Sequence, residues 1–266
     1  MKKAKPNYPI KVLDKTFSIL EILLQQGSAI NMIELSKKLE LYPSTIHRIL
    51  DTLRYWGYVE QDPKSQKYRL GLKLLELGMT KLHQMDLVKE VAPCLKELVN
   101  QFNETVHLGV LEEGEVLYLA KEESSQTIRM ISYVGKRAPL HCTSLGKVLL
   151  AYISAEERRK ILGEKVLPRL TENTITDKRE LEKELAKVRE QGFALDREEN
   201  EKNVCCIAAP IRNHQGRVIA ALSISSPIFR IDKNIQDNLK EALIKTSEKI
   251  SIRLGYNSKL LKRITE

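Results

Sequence analysis

The sequence is poor in the residues from which disulfide scaffolds and metal sites are built. Its 266 residues include four cysteines, Cys94, Cys142, Cys205 and Cys206. None forms a CxxC pair, and none is followed by a histidine at the third or fourth position. Four cysteines with this spacing in a chain of this length exclude a disulfide-stapled fold and argue against zinc. We therefore expect no metal and no cofactor.

Long apolar runs are also missing. A stretch such as VLLAYI at 148–153 is far shorter than the roughly 20 residues that a membrane-spanning helix needs. The first residues, MKKAKPNYPIK, are basic, but prolines and a tyrosine occupy the place of the apolar core of a secretory signal. These absences predict a cytoplasmic protein with no membrane partner.

Positive charge is what the sequence has in excess, and it is denser at the front. The formal net charge is +9. Residues 1–88 carry 14 Lys and Arg against 9 Asp and Glu, a net charge of +5, and the remaining two thirds carry 30 against 26, a net charge of +4. Such a distribution permits binding to nucleic acid but does not require it.

Three helices and a hairpin are predicted in the first seventy residues. Apolar positions recur at helical spacing from Val12 to Leu24, before Gly27, and again from Ile30 to Leu41. A third helix starts at Pro43, a favoured first helical residue, and ends at Gly57. Two short alternating segments around Asp-Pro-Lys-Ser follow as a hairpin. The second helix is predicted to bury Ile33, Leu35, Leu39 and Leu41, and the third to bury Ile46, Ile49, Leu50 and Leu53.

This order of elements is that of a winged helix-turn-helix. The third helix would enter the major groove by its N-terminal end, and the hairpin would be the wing. Arg48 suits guanine, the Ser44 and Thr45 hydroxyls suit bases or phosphates, and lysines on the wing suit phosphates. The predicted DNA-binding residues are Ser44, Thr45, His47, Arg48, Arg54, Lys64 and Lys67.

The rest of the chain mixes helices and strands. A helical pattern begins after the hairpin and is expected to join it to the second domain as one linker helix. Strands are then predicted around Glu-Glu-Gly-Glu, over IRMISYVG at 128–135, and on both sides of RNHQGR, with helices at SLGKVLLAYIS, at KRELEKELAKVREQG and from Asp232 to Leu254. The fold class is therefore α+β.

Several stretches resemble the isocitrate lyase regulator (IclR) family of bacterial transcription factors. They are KTFSILEIL, ELSKKLELYPSTIHRILDTLRYWGYVEQ, YRLGLKLLELG, VGKRAPLHCTSLGKVLLA, NTITDKRELEKELAKVREQGFALDREEN and CCIAAPIRNHQGRVIAALSIS. The resemblance implies a regulator, most often a repressor, of a catabolic operon, and a homodimer or dimer of dimers on double-stranded operator DNA. It also implies a GAF-like effector-binding domain. The expected division is a basic arm at 1–9, a winged helix at 10–71, a linker helix at 72–90, an effector domain at 91–256 and a tail at 257–266.

The resemblance also places an effector pocket, for a 2-oxo acid, a sugar-acid product or a similar carboxylate. Family members present main-chain amides at the positions of Ser144 and Leu145, and a helix start offers an anion such donors. Asp196 would bond the polar end of the effector, and Ser223 and Ser225 would share one strand face. The full predicted set is Thr127, Met130, Ala138, Ser144, Leu145, Asp196, Val204, Cys206, Ser223 and Ser225.

One position departs from the family pattern. Asn203 stands where many relatives have glycine, before the strand that carries the two adjacent cysteines. Asparagine tolerates left-handed backbone angles, so the turn is expected to survive, although an amide facing the pocket would change its polarity. On that strand Val204 and Cys206 would face the pocket, with Cys206 opposite Met130, and Cys205 would face away.

The cysteines and histidines allow two alternative functions to be considered. An enzyme would use Cys142 or Cys206 as a nucleophile with His107, His141 or His214 as the base. A redox or metal sensor would use Cys205 and Cys206 together. Neighbouring residues supply neither a base at a suitable place nor a ligand set. We therefore expect a binding protein rather than an enzyme.

Overall fold

The computed structural model describes residues 10–83, 86–163 and 166–258. They form two compact units, divided immediately before Asp86. The arm predicted at 1–9 and the tail from 259 onward lie outside the described residues. Within the described part, no helix combines the length and the apolar character needed to cross a bilayer.

The first unit contains the expected three helices and hairpin, followed by a fourth helix. The elements are α1 (Lys11–Gln26), α2 (Met32–Leu39), α3 (Pro43–Tyr55), β1 (Val59–Gln61), β2 (Tyr68–Leu70) and α4 (Leu72–His83). Gly27 ends α1 with a positive φ of 65°, and Pro43 is the first residue of α3. The predicted stripe Ile46, Ile49, Leu50 and Leu53 is buried against Ile19, Leu23 and Leu35.

One predicted core position of this unit is wrong. Ile33 is 62% exposed. The Asn31 side chain accepts a hydrogen bond from the Glu34 amide at 2.8 Å and starts α2 at Met32. In this two-turn helix the apolar face runs from Leu35, which is buried, to the half-buried Leu39. Ile33 lies off that face.

The second unit is built on a six-stranded antiparallel sheet. Its strands are β3 (Thr105–Glu112), β4 (Glu115–Glu122), β5 (Arg137–Ala138), β6 (Ala194–Arg197), β7 (Val204–Arg212) and β8 (Val218–Pro227), in the order β5-β4-β3-β8-β7-β6. Its helices are α5 (Leu87–Phe102), α6 (Ser144–Tyr152), α7 (Ala155–Leu162), α8 (Lys178–Gln191) and α9 (Lys233–Arg253). The molecule is thus mixed α+β, as predicted.

Helices cover both faces of this sheet. Helices α6 and α8 pack on one face, in a core that includes Val116, Tyr118, Ala208 and Ala221. Helices α5 and α9 pack on each other and on the opposite face. Because side chains alternate along a strand, the buried runs of β7 and β8 contribute to both cores. The face beneath α6 carries the predicted effector residues, as described below.

The described residues do not form one linker helix over 72–90. Helix α4 spans Leu72–His83, and α5 starts at Leu87 after Asp86, whose extended backbone and carboxylate cap it. The Asp86 Oδ1 accepts hydrogen bonds from the Val88 amide at 3.0 Å and the Lys89 amide at 3.4 Å. An N-cap aspartate of this kind starts a new helix rather than continuing an old one.

Helix α5 also runs through Pro93 instead of stopping before it. A proline in a helix interior removes one backbone hydrogen bond and usually kinks or breaks the helix. Here Val91, Cys94, Leu95 and Leu98 are all buried on the sheet side of the helix. Packing of this face therefore outweighs the local preference of the proline.

Candidate functional site

The first candidate surface is the exposed start of α3. Ser44, His47 and Arg48 are exposed and Thr45 is half-buried, while the opposite face of the helix is buried. Tyr42 caps the helix through its backbone, since its carbonyl accepts hydrogen bonds from the Thr45 amide at 2.9 Å and the Ile46 amide at 3.2 Å. The four predicted side chains are therefore presented at one helix end, in the arrangement that a recognition helix needs.

The wing is held in shape by one aspartate. The Asp62 Oδ1 accepts hydrogen bonds from the Ser65 amide at 2.6 Å and the Lys64 amide at 3.1 Å, and from the Ser65 hydroxyl at 2.8 Å. These bonds, with that of the Ser65 amide foremost, lower the pKa of the Asp62 carboxyl. The turn leaves Lys64 and Lys67 exposed, where they can neutralise phosphates.

Arg54, predicted as a DNA contact, is engaged within the unit. Its Nη2 lies 2.7 Å from the Asp51 Oδ1, and its Nη1 donates to the Gln61 Oε1 at 2.9 Å. The side-chain Nε2 of Gln61 then donates to the backbone carbonyl of Gln66 at 3.2 Å and to the Gln66 Oε1 at 2.9 Å. Arg54 therefore bridges the recognition helix and the wing.

The second candidate site lies in the other unit, on the sheet face beneath α6. Asp196 on β6 pairs with Cys206 on β7, Cys206 pairs with Ser225 on β8, and Ser223 pairs with His107 on β3. Directly opposed residues in an antiparallel sheet share a face. All five side chains are almost completely buried. The structure thus brings four predicted residues together and adds His107.

The first turn of α6 approaches the same face. Thr143 caps the helix, with its Oγ1 accepting from the Gly146 amide at 3.1 Å. The amides of Ser144 and Leu145 belong to the first turn, where a helix has no carbonyl of its own to pair with them. A Cβ on Gly109 of β3 would lie 2.9 Å from the Val116 Cγ1 and 3.0 Å from the Leu145 Cδ1, so glycine leaves room here for the side chain of Leu145.

Burial sets the protonation of the groups on this face. It raises the pKa of Asp196 to about 7, against hydrogen bonds from the Glu199 and Asn200 amides at 2.8 and 3.4 Å. Burial lowers the pKa of His107 to about 3, assisted by Lys121 and Lys136. It raises the pKa of Tyr118, whose ring stacks on His107 at 4.9 Å. Near neutral pH the face therefore presents an uncharged imidazole and phenol.

Other predicted pocket residues are placed differently. The segment predicted as a strand at 128–135 is irregular, and it exposes Ile128, Ile131, Tyr133 and Val134. Thr127 is exposed and Met130 is half-buried in the same loop, which spans 123–136. The loop reaches the polar face through Ser132, whose Oγ lies 2.7 Å from the His107 Nε2.

The remaining predicted wall positions lie on β5 and at the start of β7. Ala138 is buried on β5 beside Val116, and Val204 is half-buried at the start of β7. Asn203 has a φ of 63°, so it adopts the left-handed conformation expected of it. Its side chain is exposed, however, and the predicted change of polarity in the pocket is not what the structure shows.

Sequence reasoning missed Lys147 and Glu199. Lys147 on α6 is fully buried, and its Nζ lies 2.6 Å from the Glu199 Oε1. Position 147 interrupts an otherwise apolar run, SLGKVLLA. That interruption was the available signal, because a buried lysine needs an acidic partner.

The cysteines do not support the competing functions. All four belong to the described residues, and all are free and buried. Burial raises the pKa of Cys142 to about 12 and raises that of Cys206 well above its ordinary value, which is the reverse of what a nucleophile or redox thiol requires. In the same described ranges, no group of three or more His, Cys, Asp or Glu side chains is placed to hold a metal.

Comparison with known proteins decides the class. The model described as IclR helix-turn-helix domain matches residues 12–63, and that described as bacterial transcriptional regulator IclR C-terminal matches residues 79–252. The chain belongs to the IclR family. As a member of this family it is a DNA-binding transcriptional regulator and not an enzyme.

The similarity to individual members of the IclR family extends along nearly the whole chain. The chain is 40% identical to the HTH-type transcriptional regulator KdgR of Escherichia coli, over 91% of this chain and 92% of that one. It is 37% identical to the regulator XynR of the same organism, over 93% and 98%. The crystal structure of Agrobacterium tumefaciens repressor BlcR matches with a TM-score of 0.82 and 25% identity, over 93% and 98%.

Proposed function

We propose that this IclR-family protein represses a catabolic operon and that a small carboxylate, such as a 2-oxo acid or a sugar-acid product, changes its affinity for the operator. The observation that carries the proposal is the buried polar face of the second unit. Asp196, Ser223, Ser225 and His107 are polar groups on one face of an otherwise apolar sheet, beneath a helix start. Buried polar groups need hydrogen-bond partners, and a polar ligand on this face would supply them.

The chemistry of this face suits a ligand with one carboxylate and several hydroxyls. The amides of Ser144 and Leu145 offer hydrogen bonds and the positive end of a helix dipole to an anion. The serine hydroxyls and the Asp196 carboxyl would bond polar groups along the rest of the molecule. Thr127, Met130, Ala138, Val204 and Cys206 complete the proposed lining.

The DNA-binding role rests on the exposed start of α3 and on the wing. We propose that Ser44, Thr45, His47 and Arg48 contact the major groove and that Lys64 and Lys67 contact phosphates. A homodimer, alone or paired as a dimer of dimers, would place two such units on one operator. Contact with the chromosome also supports the proposed cytoplasmic location.

The direction of control is proposed to be repression. BlcR, whose structure is compared above, is a repressor. Effector binding would act by differential affinity: an effector that fits one arrangement of the protein better than another shifts the population toward it.

The test begins with a thermal-shift screen of 2-oxo acids, sugar acids and polyols on the full chain. A ligand of the native state raises its melting temperature. The variant Ser225→Ala should lose at least tenfold in affinity for a hit, because its hydroxyl lies on the proposed ligand face. The matched control is Ser226→Ala, since Ser226 is equally buried on the other face of the same strand. Equal losses in both variants would contradict the placement of the site.

Operator binding is tested by footprinting upstream of the flanking catabolic genes, with and without the hit. We expect protection of a discrete site and its weakening by the ligand. Unchanged protection with every compound that binds would contradict effector control, and no protection at all would contradict the regulatory role.

A further inference from the structure

A buried cluster of charges lies between α6 and the segment that follows β6. Lys147 is fully buried, and its ammonium group meets the Glu199 Oε1 at 2.6 Å and the Glu184 Oε1 at 3.6 Å. Glu184 is partly exposed and has a second cation, Lys187, at 3.7 Å. The inner part of the cluster is therefore one lysine and the carboxyl of Glu199.

Asp196 adds a second carboxyl to this inner part without adding a cation. Only 2% of Asp196 is exposed, and its Oδ1 accepts hydrogen bonds from the amides of Glu199 and Asn200. The Glu199 Oε2 is buried as well, and within the described ranges it has no hydrogen-bond partner. One cation thus faces two buried carboxyl groups, one of which has an unsatisfied oxygen.

The other groups around Asp196 supply no positive charge. Cys206 faces it from β7, and Cys142 and Tyr118 lie within electrostatic range from the start of α6 and from β4. Burial raises the pKa of each of these groups, so all are neutral near pH 7. The further titratable groups on this side are His107, which is kept neutral by burial, and Glu201, which is an acid, whereas Cys205 lies on the opposite face of β7.

We propose that the Asp196–Glu199 carboxyl pair of the effector-free protein carries one proton in part of the molecules near neutral pH. When a carboxylate effector binds beneath α6, the remaining molecules take up this proton from solvent. The inference rests on the proposed effector site. Its basis is charge balance: with one proton, the lysine and the two carboxyl groups are neutral together, whereas two buried carboxylates on one lysine leave an uncompensated charge.

The direction of the linkage follows from the sign of the new charge. Burial raises the pKa of Asp196 to about 7 and also raises that of Glu199, so near neutral pH only part of the molecules carry the proton. A second anion beside the pair favours its protonated form. Effector affinity is therefore highest on the acid side of pH 7 and falls by about tenfold for each pH unit well above it.

The first experiment needs no effector. The carboxyl carbon of Asp196 is followed by NMR in the full chain between pH 4 and pH 9, with Asp196→Asn to assign the signal. A midpoint between about 6 and 8 supports the proposal, and a midpoint below 5 overturns it. Asp237, an exposed carboxyl whose pKa is lowered by Lys240, is the internal control that must titrate well below pH 5.

Stability gives a second readout of the same proton. A carboxyl whose pKa is raised on folding stabilises the native state below its unfolded pKa, and this stabilisation is lost as pH rises through the folded value. The urea midpoint of the unchanged chain should therefore fall, relative to Asp196→Asn, between pH 5 and pH 9. The control Asp237→Asn should run parallel to the unchanged chain from pH 6 to pH 9. A parallel curve for Asp196→Asn overturns the proposal.

The second experiment measures the linkage. Binding of pyruvate and of D-gluconate to the full chain is measured by calorimetry at pH 6, 7, 8 and 9, in buffers of different ionisation enthalpy. Net proton uptake with about tenfold weaker binding from pH 8 to pH 9 is expected, and Asp196→Asn, which mimics the protonated acid, should remove both effects. Binding without proton uptake overturns the linkage. If neither these probes nor any compound of the screen binds, the effector site itself fails, whereas the NMR titration still decides where the proton lies.

Discussion

At the scale of single residues, the polar face of the second unit is governed by burial rather than by formal charge. His107 illustrates this. Its Nε2 lies 2.7 Å from the Ser132 Oγ, its Nδ1 lies 3.5 Å from the Ser225 Oγ, and burial lowers its pKa to about 3. The imidazole is thus a neutral hydrogen-bonding group that joins the 123–136 loop to the sheet, and it offers no positive charge to an effector.

The buried imidazole should make the protein sensitive to acid. Because the pKa of His107 is lower in the folded than in the unfolded state, the unfolded chain binds the proton first, and stability is lost as pH falls below about 6.5. The expected slope is about 1.4 kcal/mol per pH unit for this residue. The measurement is urea unfolding between pH 4.5 and pH 6.5, and His107→Gln should remove this slope. Asp196 changes the free energy of unfolding in the opposite direction over the same pH range. The quantity to compare is therefore the difference in this free energy between the unchanged chain and His107→Gln at each pH. Parallel curves would contradict the assignment.

The buried ion pair of Lys147 should be costly to break. Removing one partner of a buried pair leaves an uncompensated charge, at a cost of about 3–5 kcal/mol. Lys147→Met is expected to lower the free energy of unfolding by this amount at pH 8, and Glu199→Gln in the same chain should recover part of it. The matched control is Lys183→Met, which breaks an exposed pair with Glu180 and should lower the free energy of unfolding far less. Similar costs for the two lysines would refute the view that burial makes the difference.

At the scale of elements, the wing is fixed to the recognition helix by polar side chains. Arg54 links Asp51 of α3 to Gln61 of β1, and Gln61 continues to Gln66. The role that this geometry favours for Arg54 is to position the wing. Exposed pairs of this kind contribute little to stability, so the effect should appear in DNA binding.

Salt dependence distinguishes a positioning residue from a phosphate contact. Loss of one phosphate contact reduces the slope of log affinity against log salt by about 0.9. Lys64→Ala is expected to show this reduction, whereas Arg54→Ala should weaken operator binding with an unchanged slope. The measurement is a titration of operator DNA at several salt concentrations. A reduced slope for Arg54→Ala would show that its guanidinium contacts DNA directly, as the sequence predicts.

Elements with a strong periodic pattern could be predicted from the sequence, and those set by distant contacts could not. The stripe on α3, the β7–β8 pair and α8 are confirmed, because each carries its own period and end signals. The strand expected at 128–135 is wrong: Ile128, Ile131, Tyr133 and Val134 are exposed and the chain there is irregular. The two parts of the expected linker helix share a helical period, and nothing in that period predicts the N-cap at Asp86 that starts the second part. Helix α7, whose residues are mostly charged, had no apolar stripe to reveal it.

The same distinction holds within the candidate site. Asp196, Ser223 and Ser225 were predicted by resemblance, and strand alternation correctly placed the two serines on one face. Lys147 and Glu199, by contrast, are 52 positions apart and meet only through the fold. No local sequence pattern connects them, so the charge balance that controls the protonation of Asp196 could not be predicted from the sequence.

At the scale of the whole molecule, the proposed homodimer fixes the form of the operator. Two identical recognition helices related by a twofold axis require two half-sites in inverted repeat, whose centres lie on one side of the duplex, about 10 base pairs or a multiple apart. Inserting about 5 base pairs between the half-sites turns one of them to the opposite side of the duplex. This insertion should abolish cooperative protection in footprinting, and an insertion of about 10 base pairs should restore part of it. A single scrambled half-site should weaken binding as much as the 5-base-pair insertion does. Protection that is indifferent to spacing would show that each copy of the chain binds alone, and the dimeric mode of operator recognition would then have to be given up.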